Sequence, residues 1–131
     1  MRDAIEREIR ELHEFFVAWF GGALPKDESA WAAAPAVMAD DFELVTPGGE
    51  RIAREALLSQ LYEGHGSRHM RIWIEQLQVR ELGGGLHLAT YHECQARDGR
   101  ETRRQSSAVM REQPTARHGV IWVHVHETWI A

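Results

Sequence analysis

The hydrophobic positions along this chain change period once. Up to about residue 64 they follow helical spacing interrupted by one short hairpin, and from Arg68 onward they alternate. Ile5, Ile9, Leu12, Phe16 and Trp19 are spaced 4, 3, 4 and 3 apart, which predicts one amphipathic helix with Glu6, Arg7, Arg10 and Glu14 on its wet side. Gly21-Gly22 stops it, because glycine accepts the left-handed cap conformation. Asp27 is placed to cap a second helix, Trp31 and the alanines after it suit close packing, and Pro35 breaks the run. Phe42–Thr46 alternates as a short strand, Pro47-Gly48-Gly49 carries turn chemistry, and Glu50–Ile52 returns. Arg54–Glu63 predicts a third helix that buries Leu57, Leu58, Leu61 and Tyr62, with Gly64 as its cap.

The remainder predicts strands at Arg68–Leu82, Leu86–Ala96, Thr102–Glu112 and His118–Trp129. Turns fall at Gly83-Gly84-Gly85, Asp98-Gly99 and Gln113-Pro114. In the first of these strands Trp73, Glu75, Leu77 and Val79 are expected on one face, and Ile72, Ile74, Gln76 and Gln78 on the other. Helices followed by a long antiparallel meander define an α+β fold. Strands of ten or more residues twist strongly, so the expected shape is a half-open cone, its concave face closed by the helices around a pocket.

With 131 residues the chain is expected to form a single domain, 1–131, able to bury about two-thirds of its unfolded surface. The formal charge of −5 and the scattered arginines argue against a nucleic-acid footprint. Cys94 is the only cysteine, so no internal disulfide can form and a reducing, cytoplasmic setting is expected. The charged start Met1–Arg7 does not read as a secretory signal, and no apolar run approaches membrane-spanning length.

Three segments carry a family resemblance. Met38–Gly49 resembles the passage from helix 2 into the first strand of nuclear transport factor 2-like proteins, a superfamily that includes SnoaL-like proteins and ketosteroid isomerases. Ala108-Val109-Met110-Arg111 resembles their fifth strand. Trp122–Thr128 resembles the last strand of uncharacterised SnoaL-like families and of the calcium/calmodulin-dependent kinase II association domain. The resemblance implies a cone with a central pocket (a cystatin-like fold) and a dimer built on the outer face of the sheet. It does not carry over ketosteroid isomerase chemistry. Thr46 stands where those enzymes place the basic aspartate, Ala108 where they place the protonated one, and Phe15 and Phe16 lie in the region of their tyrosine. Ala108 also replaces the arginine of the association domain.

The expected pocket lining is Trp31, Leu44, Thr46, His92, Cys94, Ser106, Ala108, Val125 and Glu127. His92 and Cys94 share a strand face, which by analogy with the association domain looks into the cone. A His–Cys pair could supply a base and a nucleophile, but a packed cysteine beside a hydrogen-bonded histidine is the plainer reading. Glu127, placed inward near the mouth by the resemblance, is a carboxylate whose pKa would rise if dry; a solvated glutamate at the rim is the plainer reading, and with His92 it is the candidate for acid–base work. His124-x-His126 has the spacing of a two-histidine metal pair, but zinc needs at least one more ligand, so neither metal nor cofactor is expected. Alternation puts Trp122, His124 and His126 on one side of the last strand and Val123, Val125 and Glu127 on the other. The first set is therefore expected at the centre of a homodimer contact. The chain reads as a small dimeric pocket protein for an apolar or aromatic molecule, with isomerase, cyclase or lyase activity open. A non-catalytic association module is the alternative.

Overall fold

The computed structural model describes residues 1–130. The elements are α1 (Arg2–Phe20), α2 (Glu28–Trp31), a 3₁₀ turn (Pro35–Val37), β1 (Met38–Val45), β2 (Arg51–Ala53), α3 (Arg54–Glu63), β3 (Arg71–Gly83), β4 (Leu86–Arg97), β5 (Arg100–Glu112) and β6 (Val120–Trp129). The second helix is a single turn. Asp27 caps it by accepting from the Ala30 N–H at 2.8 Å, and Pro35 follows too soon for it to extend.

The six strands form one sheet in the order β2-β1-β6-β5-β4-β3. The meander β3 to β6 is antiparallel throughout, as its tight turns require. The hairpin β1–β2 joins the other edge by pairing β1 parallel to β6, the one departure from an antiparallel sheet. The sheet is curved and not closed. Between β4 and β5, Asp98 and Gly99 adopt φ of 53° and 76°, the left-handed pair of a two-residue hairpin turn.

Helix α1 lies against the concave face. Ile5, Ile9, Leu12 and Trp19 of the predicted stripe are buried, and Phe16 is partly buried against the same core. The Trp19 indole donates to the Leu61 and Tyr62 carbonyls at 3.1 Å, which pins α1 to the end of α3. The Trp31 ring lies tilted 4.8 Å from that of Trp19 and edge-on 5.6 Å from that of Tyr62.

Two bulges bend the sheet and change which residues face inward. Between Glu75 and Gln78, β3 uses three steps against two on β4, and Gln76 takes a left-handed φ of 54°. Ile72 and Ile74 therefore share the inner face with Leu77 and Val79, where unbroken alternation separates the two pairs. In β6 the register passes from Met110↔Trp122 to Val109↔His124, which leaves Val123 as the extra residue. A bulge of this kind bends its strand and reverses the facing of everything beyond it.

Candidate ligand-binding cavity

A cavity of about 290 Å³ lies between α1 and the concave face. Leu12, His13, Phe16 and Phe20 line it from α1, Met38, Phe42 and Leu44 from β1, and Leu57 and Leu61 from α3. Arg68 and Met70 enter from the loop before β3, which adds Ile72. Tyr91, Glu93 and Gln95 project from β4, Arg104 from β5, and Trp122, Val125 and Glu127 from β6. Strand register explains this set. Tyr91 is opposite Ser106, which is opposite Glu127, and Ala89 is opposite Ala108, which is opposite Val125.

The wall is apolar apart from one polar cluster. His13 Nδ1 lies 2.7 Å from the Ile9 carbonyl, and Nε2 lies 3.0 Å from Glu93 Oε1. The Gln95 amide donates to the other Glu93 oxygen at 2.5 Å. Burial opposes charge on both partners, yet the pair wins. The Glu93 carboxylate and the Ile9 carbonyl raise the His13 pKa, while the imidazolium, Arg104 and Gln95 hold Glu93 at about 2. Glu127 is different. It is 7% exposed, and burial together with the negative charge of Glu93 lifts its carboxyl to about 7. Arg104, reaching Oε1 at 3.4 Å, and His13 offset this only partly. Burial also pushes the Tyr91 phenol well above its usual range, with Glu93 and Glu127 adding to the effect.

Of the expected lining, Leu44, Val125 and Glu127 face the cavity, and Ser106 and Ala108 are fully buried in the inner layer beneath it. Thr46 belongs to the β1–β2 turn, where its hydroxyl accepts from the Glu50 N–H at 3.1 Å. Trp31 lies in the aromatic cluster with Trp19.

His92 and Cys94 point to the convex face, opposite to expectation. There His92 Nε2 meets Gln105 Oε1 at 3.0 Å, and Cys94 is paired across strands with Trp73 and Arg103. Burial raises the Cys94 thiol pKa, which is the wrong direction for a nucleophile.

Trp122 also differs from expectation. The Val123 bulge turns it inward, where it is 2% exposed, packs edge-on to His13 and donates to Glu8 Oε2 at 3.2 Å. It cannot centre a contact on the convex face. His124 and His126 do lie there, with rings 6.4 Å apart and Glu43 Oε1 at 3.4 Å from His124 Nδ1. Among the described residues no group of three His, Cys, Asp or Glu side chains is placed to hold a metal ion.

The charged side chains of the cavity that were missed from sequence are His13, Glu93, Arg68 and Arg104. For His13 a signal existed: it stands four residues after Ile9 and three before Phe16, on the buried stripe.

A curved sheet wrapped around a long first helix, with a cavity between them, defines a nuclear transport factor 2-like fold. The chain belongs to the sucrose-6-phosphate phosphohydrolase C-terminal family, whose sequence pattern matches residues 5–131. It is 23% identical over 128 residues to sucrose-phosphatase 2 of Nicotiana tabacum, covering 94% of this chain and 30% of that protein. The chain thus spans under a third of the length of the curated relatives it matches. A solved NTF-2 like protein of unknown function from Pseudomonas aeruginosa has a TM-score of 0.87 at 27% identity, over 98% of this chain and 99% of that one. The CaMKII hub of S. rosetta follows the same fold, with a TM-score of 0.73 at 16% identity over 98% and 95%. Among the described residues no helix is long and apolar enough to cross a membrane.

Proposed function

We propose that this domain binds a small, largely apolar or aromatic molecule in the cavity under α1, and that Glu127 exchanges a proton with it. The observation that carries the reading is a carboxyl only 7% exposed in the wall of an apolar concavity, where burial and the charge of Glu93 push its pKa up to about 7. A general acid or base works best when its pKa lies near the operating pH, and apolar clefts with few convergent polar groups are the usual ligand sites. A proton-transfer step of the isomerase, cyclase or lyase kind fits this arrangement. The names of the curated relatives point instead to a sugar phosphate; the wall is mostly apolar, with Leu12, Phe16, Phe42, Leu57 and Val125, and its polar side chains are His13, Arg68, Tyr91, Glu93, Gln95, Arg104 and Glu127. A single buried cysteine, Cys94, suits a reducing, cytoplasmic setting.

Native mass spectrometry of the purified protein, followed by a fragment panel read by tryptophan fluorescence, tests this. Retention or binding of an apolar molecule, weakened by Glu127→Gln, is expected. A clean apo protein that binds no fragment would overturn the reading.

A second reading has a separate basis. The neighbours include association-domain proteins, and the convex face carries His124 and His126. On this reading the chain is a homodimer through that face, and in the limit a non-catalytic association module. An apo assembly larger than a dimer would favour it.

A further inference from the structure

We propose that the occupant of this cavity is an organic acid, with its apolar body against α1 and its carboxylate held at the mouth by Arg68 and Arg104. This rests on the reading of the cavity as a ligand site and adds the class of ligand.

The argument starts from charge that the protein leaves unbalanced. Five acidic or basic side chains line the cavity: His13, Arg68 and Arg104 against Glu93 and Glu127. His13 and Glu93 neutralise each other at 3.0 Å. Arg104 touches Glu127 at only 3.4 Å through one terminal nitrogen, while its Nε is buried with no acceptor among the described residues. A buried donor without a partner is costly, and the Arg104 side chain is only 15% exposed.

Arg68 forms no ion pair among the described residues. Its guanidinium carbon lies over the Phe20 ring, 3.8 Å from the centroid, and one nitrogen donates to the Ser67 hydroxyl. Guanidinium N–H groups point outward in the plane of the group, so stacking on a ring leaves them free to bind a carboxylate. Burial and the repulsion of Arg97 both lower the Arg68 pKa, and the charge of a bound anion would offset both.

The mouth extends this pattern. A second concavity of about 440 Å³ shares Gln95 and Arg104 with the first and adds Arg97, Arg100 and Trp129. Arg104 packs 4.6 Å from the Trp129 ring centroid. The only carboxylate lining this part is Asp98, already 3.4 Å from Arg97. A chain of net charge −5 has thus gathered four arginines at one opening. Arg68 and Arg104 are partly buried and carry the attraction for an anion, while the exposed Arg97 and Arg100 add a more screened positive field at the mouth. An entering carboxylate adds negative charge near Glu127, so Glu127 takes up a proton on binding; burial and Glu93 already favour its protonated form, while Arg104 and His13 oppose it.

Isothermal titration with indole-3-acetate and its neutral counterpart indole-3-acetamide separates the claims. The acid is expected to bind at least about tenfold more tightly than the amide, since charge-assisted guanidinium–carboxylate bonds are the strong ones. Its binding enthalpy should differ between two buffers of unlike ionisation enthalpy at pH 7.5, which reports proton uptake. Arg68→Gln, checked for folding by thermal unfolding, should remove the preference for the acid. Equal affinity for acid and amide would overturn the inference and leave the cavity reading standing. A preference that survives in Arg68→Gln/Arg104→Gln would also overturn it. Binding of neither probe would remove both.

Discussion

His13 Nε2 lies 3.0 Å from Glu93 Oε1, while the other ring nitrogen of His13 lies 2.7 Å from the Ile9 carbonyl oxygen. Both nitrogens face acceptors, so the ring is best satisfied as a cation holding a buried carboxylate. Removing one partner strands the other. His13→Leu should cost about 3–5 kcal/mol, the usual cost of breaking a buried pair. The double variant His13→Leu/Glu93→Leu should cost much less than the sum of the single variants. Urea unfolding of all four proteins checks this, and simple additivity would show that the pair is not coupled.

Glu127 gives a pH dependence of defined sign. Its folded pKa of about 7 lies above its ordinary value of 4.5, so the folded state binds more protons between these limits. Stability therefore falls as pH rises through that window, and the penalty is complete above about pH 7, at most about 3 kcal/mol. Glu127→Gln should be more stable than wild type at pH 8 and lose that advantage by pH 4.5. Glu93 acts in the opposite sense: its pKa of about 2 gives stability that is present above 4.5 and lost as pH falls toward 2. Unfolding curves at several pH values would expose either sign error.

Trp122 tests which way β6 faces. Its indole is buried beside His13 and donates to Glu8 Oε2, and Glu8 is fully buried and also held by Arg117 at 2.8 and 2.9 Å. Trp122→Ala should destabilise the fold by about 3–5 kcal/mol. Trp122→Phe keeps most of the ring volume, should cost less, and should leave any dimer constant unchanged. Denaturant melts with sedimentation velocity read the two effects separately. A folded Trp122→Phe protein with a weakened dimer would restore this residue to an interface.

The convex face carries the assembly proposal. His126 is exposed, and His124 is half-buried beside Glu43. If two copies meet there, an added charge at the contact should weaken the dimer, so His126→Glu is expected to raise the dimer dissociation constant by at least about tenfold. Sedimentation velocity of both proteins at about pH 8 decides, and a wild-type monomer would end the proposal.

The sequence by itself determined the order of elements, the apolar stripe of α1, the cap at Asp27, the Asp98-Gly99 turn and the helix Arg54–Glu63. These rest on period, capping and turn chemistry, all of which act between residues a few positions apart. It also placed Leu44, Val125 and Glu127 on the inner side. Only the tertiary structure decided the facing of His92, Cys94 and Trp122. Alternation in β4 separates Tyr91, Glu93 and Gln95 from His92 and Cys94, but it does not say which set is inside. Glu93 turns inward because His13 waits there, eighty positions earlier in the chain. In β3 and β6 the alternation itself is interrupted, at Gln76 and Val123, where the sheet bends around α1. Each bulge answers to a neighbouring strand's register, and one extra residue reverses every side chain beyond it.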